Sequence, residues 1–457
     1  MNISELIQSQ KNFFATQQTK NVSFRKETLK KLQKELLKRE NDIIKALYDD
    51  FKKSEYEAVM TEISIVLTEL KMTLKNLNSW SKPERVLPSL LNFPSSAKIY
   101  KEPYGTTLII APWNYPYQLA FAPLLGAVAA GNTVILKPSE LTPNTSKITK
   151  EIIETVFNKN HVAVIEGGVS VSQELLAQRW DYIFFTGSVP VGKIVAKAAA
   201  EHLTPVTLEL GGKSPCIIDE TANLKLAAKR LVWGKFINGG QTCIAPDYLL
   251  IHTSVKEQFV TYFKDEITNA YGKNPKTSED YPRIVNTKNF DRLALMLENE
   301  NCVIGGQTDR NDNYISPTLI DEPNLDSEVM KGEIFGPIFP MISYQTETDF
   351  DNIIQKYDKP LALYVFTNRN DFAKKMIAKY SFGGGTINDT TVHFANHRLP
   401  FGGVGESGIG SYHGKQTFDV FSHKKGVVTR GNWLDVPTRY APYKGKLKQL
   451  KTLMKIG

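Results

Sequence analysis

Three features of this chain predict an α/β protein with doubly wound sheets. Short apolar runs of strand length alternate with helical periodicities, and the runs are apolar on both faces. At 457 residues the chain also exceeds what one ordinary core organises, so two or three domains are expected. Strands buried on both faces and joined by helices are parallel strands covered by those helices.

The first 80 residues read as long amphipathic helices. Leu29, Leu32, Leu36 and Leu37 recur at helical spacing, as do Ile43, Ile44, Leu47 and Phe51. Three prolines between 83 and 94 then interrupt the pattern. From Thr106 strands and helices alternate: a strand over 106–111, a helix over 116–130 and a strand over 133–136. A strand over 182–185 and a helix over 191–201 follow, then strands over 206–208 and 216–218 and a helix running through 235. A second alternating set through 248–252, 254–271, 350–357, 361–367 and 371–380 implies a second α/β domain. No internal repeat or low-complexity segment alters this division.

Composition narrows the class. With 41% apolar and 23% charged residues the chain is ordinary globular protein. Cys216, Cys243 and Cys302 form no close pair and no metal spacing, and the chain opens without an apolar signal segment, so a reducing cytoplasm is expected. No apolar run approaches the roughly 18 residues a membrane span needs. The net charge of +8 comes from lysines crowded at 20–82 and 424–455. Without an aromatic-interleaved groove or recognition motif, these read as solvated helix faces, and no nucleic-acid partner is expected. His393 and His397 are four apart but lack the glutamate of a zinc helix, so no metal is expected either.

The chemistry concentrates in two segments, Glu209-Leu-Gly-Gly-Lys-Ser-Pro215 and Asn238-Gly-Gly-Gln-Thr-Cys-Ile-Ala-Pro246. A thiol in a glycine-rich bend can aim its own backbone N–H at the centre it attacks, and a nearby carboxylate can serve as base. A small buried apolar side chain is the other reading of Cys243. Phe184-Phe-Thr-Gly-Ser188 ends a strand, and Gly187 to Gly192 opens a helix whose free N–H groups favour a phosphate; a plain strand-to-helix turn fits equally. Lys137 and Glu140 leave another strand at the sheet edge where open α/β folds bind nucleotides, although a surface ion pair would look the same. In Pro112-Trp-Asn-Tyr-Pro116 two prolines stiffen a turn, and Asn114 is either a turn former or an oxyanion donor. Glu333 and Phe335 stand two residues apart in a loop. Tyr115, Leu119, Trp233, Ile244 and Phe401 flank these segments and are candidates for an apolar substrate tunnel, or for core.

In this order and these local contexts, Asn114, Lys137, Glu140, Gly187, Glu209, Cys243, Glu333 and Phe335 resemble the aldehyde dehydrogenase superfamily along essentially the whole chain. Ser381-Phe-Gly-Gly-Gly-Thr-Ile-Asn388, Leu399-Pro-Phe-Gly-Gly-Val-Gly405 and the run from Tyr412 to His423 resemble its class 3 branch. The resemblance implies a Rossmann-like NAD(P)-binding domain over 1–84 and 104–210. It further implies an α/β catalytic domain over 211–405 and a small β oligomerisation arm over 85–103 and 420–432. A basic amphipathic tail at 433–457 completes the chain.

It also implies roles. Cys243 would attack an aldehyde, the oxyanion held by its own N–H and by Asn114, and Glu209 would activate the water that hydrolyses the thioester. Lys137 and Glu140 would hold the adenosine ribose, Gly187, Ser188 and Gly192 would lie along the dinucleotide, and Glu333 and Phe335 would meet the nicotinamide ribose and ring. Glu140 favours NAD because a carboxylate repels a 2′-phosphate, while Lys137 also admits NADP. A hydrophobic aliphatic or aromatic aldehyde and a homodimer are expected. An acyl transfer to coenzyme A and a membrane-surface binding protein keeping the fold are the alternatives. In the tail, Leu447, Leu450, Leu453 and Met454 share one helical face among lysines from 446 to 456. That face is expected to pack on this chain or a partner, or to touch an anionic membrane weakly.

Overall fold

The computed structural model describes residues 2–89, 92–435 and 437–454. Helices fill the first 80 residues, chiefly Ile3–Ala15, Val22–Lys38, Glu40–Phe51 and Ser64–Trp80. Leu29, Leu32, Leu36, Ile43, Leu47 and Phe51 are all buried, while Leu37 lies on the solvent side. A five-residue π-helical segment, Val59–Ile63, interrupts the run just before Ser64. It carries Glu62 inward, where Oε2 accepts the N–H groups of Tyr117 and Gln118 at 2.9 and 3.1 Å. Helix Gln118–Ala130 thus has its first free donors satisfied by a different helix, and it starts two residues later than its proline suggests.

That helix covers a six-stranded sheet. Its order is Gly408–Ile409, Val206–Glu209, Tyr182–Thr186, Thr106–Ile110, Thr133–Lys137 and Val162–Val164, parallel except for the first pair. The connection reverses direction beside Thr106–Ile110, which makes the carboxyl ends of this strand and of Tyr182–Thr186 the switch point where such sheets bind ligands. A second, seven-stranded sheet runs Cys302–Ile304, Thr318–Asp321, Ile338–Tyr344, Tyr248–His252, Pro215–Ile218, Ala362–Phe366 and Gly384–Ile387. Only its outer Cys302–Ile304 strand is antiparallel. Cys216 is fully buried in this sheet, as its apolar strand requires.

A third, separate sheet joins Glu84–Val86, Ser95–Pro103 and Ser422–Arg430, with Ser95–Pro103 in the middle. Nine consecutive residues of Ser422–Arg430 pair with it, from Ser422 opposite Pro103 to Arg430 opposite Ser95. The tail helix Leu447–Leu453 leaves Leu447, Leu450 and Met454 exposed. The Leu453 side chain, Lys455 and Ile456 lie outside the described residues. No described helix is long and apolar enough to cross a membrane.

Candidate active site

Cys243 sits beyond helix Leu224–Phe236, after three successive residues in the left-handed region: Asn238 at φ 55, Gly239 at 63 and Gly240 at 73. A Cβ at Gly240 would stand 2.3 Å from the Gly336 carbonyl, so this turn needs glycine for space as well as for conformation. The non-glycine member, Asn238, is held by its bonds. Its N–H donates to Glu57 Oε1 at 2.9 Å, and its side-chain amide donates to the carbonyls of Asn114 at 2.7 Å and Gln241 at 3.1 Å. Gln241 in turn reaches the Asn238 and Arg283 carbonyls, and Thr242 pairs with the Tyr115 hydroxyl at 2.7 Å. Tyr364 donates to the Ile244 carbonyl at 2.6 Å. Gln241, Thr242 and Ile244 are thus tied to segments distant in the chain.

Asn114 is buried, and one of its amide hydrogens is spent on the Gln241 carbonyl at 3.0 Å; the other remains for an oxyanion. The backbone N–H groups of Cys243 and Ile244 favour the thiolate. Burial nevertheless pushes the thiol well above its ordinary range, reinforced by Glu333 and Glu209. Glu209 ends its strand beside Thr186, its registered partner in the sheet. It is 2% exposed, and neither carboxylate oxygen has a hydrogen-bond partner among the described residues. Burial accordingly raises it far above the usual carboxylate range.

Two cavities meet at these residues. One, of about 690 Å³, lies outside the switch point and is lined by Pro112, Trp113, Asn114, Gly187, Ser188, Glu333 and Phe335 among others. The other, of about 300 Å³, is lined by Tyr115, Leu119, Trp233, Ile244 and Phe401, the five tunnel candidates of the sequence. The two share Thr186, Glu209 and Cys243.

The larger cavity suits a dinucleotide. Helix Val189–Ala200 opens onto it without a side-chain cap, leaving free N–H groups and the positive end of its dipole. A Cβ at Gly187 would strike the Phe185 ring at 2.5 Å, and one at Gly211 would fall within 2.1 Å of Glu333. Burial, then Asp247, pushes Glu333 up to about 8, against the opposing Gly212 N–H, Arg292 and Lys213. Lys213 anchors this loop from beneath, donating to Asp247 at 2.7 Å and to the Val329 and Gly332 carbonyls. Phe335 adopts φ 52 and meets Trp113 edge-on at 5.2 Å.

Three sequence candidates lie outside these walls. Lys137 is buried and pairs with the half-exposed Glu140 at 2.7 Å, one strand beyond the switch point. Gly192 is buried inside its helix, where a Cβ would meet Leu210 at 2.6 Å, so it brings the helix close to the sheet. Conversely, sequence reading missed Thr186, the helix residues Met60, Thr61 and Ile65, and Thr391, Val392, Phe394 and Ala395 of the smaller cavity. Thr186, inside the Phe-Phe-Thr-Gly motif, carried a local signal; the rest arrive from segments with no motif at all.

The aldehyde dehydrogenase family model matches residues 1–427. The 4,4'-diaponeurosporen-aldehyde dehydrogenase of Staphylococcus aureus is 50% identical over 455 residues, 99% of each chain. Aldehyde dehydrogenase family 3 member A2 of Rattus norvegicus is 44% identical over 425 residues, 93% of this chain and 88% of that one. The solved substrate-bound state of Staphylococcus aureus AldH superposes with a TM-score of 0.98 at 50% identity, covering 99% of this chain and 100% of that chain.

Proposed function

The chain belongs to the aldehyde dehydrogenase family, with class 3 relatives, and from its oxidation of aldehydes to acids with NAD or NADP we propose that Cys243 is the nucleophile. The observation that supports this is the junction itself: a thiol and an unpartnered carboxylate stand where a polar cleft meets an apolar pocket. The aldehyde enters the apolar side, and Cys243 attacks it as the thiolate, its proton having left to solvent through the cleft. The second Asn114 N–H and the Cys243 backbone N–H hold the oxyanion. The dinucleotide, when bound, accepts the hydride that leaves this carbon, so the group left on Cys243 is a thioester. Glu209 then takes a proton from the attacking water, releasing the acid, which favours hydrolysis over transfer to coenzyme A.

Glu333 would hold the nicotinamide ribose, and Phe335 would pack at the ring. Gly187, Ser188 and the uncapped helix start would lie against the pyrophosphate, and Lys137 and Glu140 at the adenosine ribose. The ion pair between the last two offsets the carboxylate charge, which supports use of both dinucleotides.

The apolar walls support a hydrophobic aldehyde. A groove of about 620 Å³ borders the smaller cavity at Met60, Trp233 and Ile237, and its further wall carries Glu57, Lys229, Glu266 and Asp280. A panel of aldehydes of increasing length, assayed with each dinucleotide, is expected to show kcat/KM rising with apolar length. A preference for short polar aldehydes would sink this substrate assignment.

The exposed edge strand Ser422–Arg430 and the exposed apolar face of the tail support a homodimer whose tail meets the partner or an anionic membrane. Sedimentation of the full chain and of one ending at Tyr443, with and without anionic liposomes, is expected to show a dimer. A monomer removes the dimer, and liposome binding that is equal for both chains removes the membrane contact.

A further inference from the structure

Away from both cavities, Glu69, His397 and His413 converge from three separate segments: helix Ser64–Trp80, the loop before Phe401, and the turn before helix Lys415–Val420. Each offers one ligand atom, and the three atoms lie within 4.8 Å of one another. Glu69 Oε1 stands 3.5 Å from His397 Nδ1 and accepts the Gly414 N–H, also at 3.5 Å. His413 is 1% exposed, yet neither of its ring nitrogens has a hydrogen-bond partner among the described residues, and His397 Nδ1 has none either. A neutral imidazole must carry a proton on one nitrogen and a lone pair on the other, so a buried ring with both unanswered carries a desolvation cost. Cysteine is absent from the cluster, leaving two imidazoles and one carboxylate, a donor set suited to zinc and its first-row neighbours.

We propose that Glu69, His397 and His413 bind a divalent first-row cation of the zinc type. Water would complete the coordination from the side of His397, which is partly exposed. The site is structural. None of its three residues lines either cavity, whereas the rings that pack on His413 do. Phe394, Phe401 and Tyr412 contact His413 at centroid distances of 4.4, 5.1 and 4.7 Å, and all three line the apolar pocket. A cation held here would fasten that wall of the pocket to helix Ser64–Trp80. Sequence spacing misses the site because it pairs His393 with His397, whereas the fold pairs His397 with a histidine 16 residues on and a glutamate more than 300 residues back.

The test is a Co²⁺ titration of the chelator-stripped full-length chain carrying Cys243→Ala, so that the thiol at the junction cannot serve as ligand. One Co²⁺ per chain is expected, with visible d–d bands and no near-ultraviolet thiolate-to-cobalt band. His397→Asn, at a partly exposed position that tolerates the change, should abolish the bands while leaving the circular dichroism spectrum unaltered. Zn²⁺ should displace the Co²⁺ and raise the thermal midpoint of the parent but not of the His397→Asn chain. Bands that survive His397→Asn, or a stripped chain that binds neither ion, would show a hydrogen-bonded Glu69–histidine pair only and overturn the site.

Discussion

Glu62 and Glu209 are both carboxylates sealed from solvent, and their surroundings differ completely. Glu62 accepts Lys53 Nζ at 2.5 Å in a fully buried ion pair and also takes the N–H groups of Tyr117 and Gln118. Glu209 has no hydrogen-bond partner on either oxygen among the described residues. The first arrangement partners both carboxylate oxygens and fixes the start of a core helix, with Lys53 also lying 4.6 Å over the Tyr115 ring. The second leaves a carboxylate destabilised as an anion, hence a stronger base once ionised, lining the same two cavities as Cys243. Between them lies Glu57, which holds the Asn238 N–H while burial pushes it up to about 7. The difference separates carboxylates that are tied into the wall from the one left without partners among the described residues.

The largest effect expected at this junction is that of Cys243→Ala. Turnover should fall on the order of 10⁶-fold, as for loss of other nucleophiles, with dinucleotide binding retained by fluorescence titration. Appreciable turnover in this variant would remove the thiol from the chemistry.

Next comes Glu209→Gln, which should slow acid release about 10²–10⁴-fold in a single turnover while hydride transfer is far less affected. Its stability signature runs opposite to that of a structural carboxylate. Because the folded state raises the Glu209 value above its unfolded one, the parent keeps this contribution at low pH and loses it as pH climbs above the ordinary carboxylate range. The variant should therefore match the parent near pH 4 and be the more stable of the two at pH 8. A variant less stable at pH 8 would mean that Glu209 has partners after all.

Glu62→Gln sharpens the contrast from the other side. It leaves the Lys53 charge buried without its counter-ion and should cost about 3–5 kcal/mol in urea unfolding. Turnover by the folded fraction should stay close to the parent's. A selective loss of kcat with unchanged stability would place Glu62 in the chemistry rather than in the wall.

Much of the junction was legible in the chain. Glycines around Cys243 and Glu209 announce close backbone approach, and the structure shows it at Gly240 against Gly336 and at Gly211 against Glu333. The strands that were read, from 106–111 to 361–367, end within a residue or two of those observed, because residues buried on both faces leave unbroken apolar runs, whereas Thr318–Asp321 and Ile338–Tyr344 of the second sheet were not read at all. The tunnel was half legible: Tyr115, Leu119 and Ile244 are neighbours of motifs, whereas Met60, Thr61 and Ile65 lie on an amino-terminal helix pattern no different from that of its neighbours. Gly192 was legible as part of a helix opening, and the structure adds that a Cβ there would meet Leu210, a contact that only the facing residue reveals.

The sequence by itself determined the two α/β units, the thiol and the carboxylate, because period, glycine placement and residue chemistry are local properties of a chain. Only the tertiary structure decided which carboxylate is left without partners, which face of the amino-terminal helices walls the pocket, and that Glu69 meets two histidines. Those outcomes depend on which atoms a fold brings within about 3 Å of one another, the reach of a hydrogen bond, and segments hundreds of residues apart carry no mutual signal in a single chain.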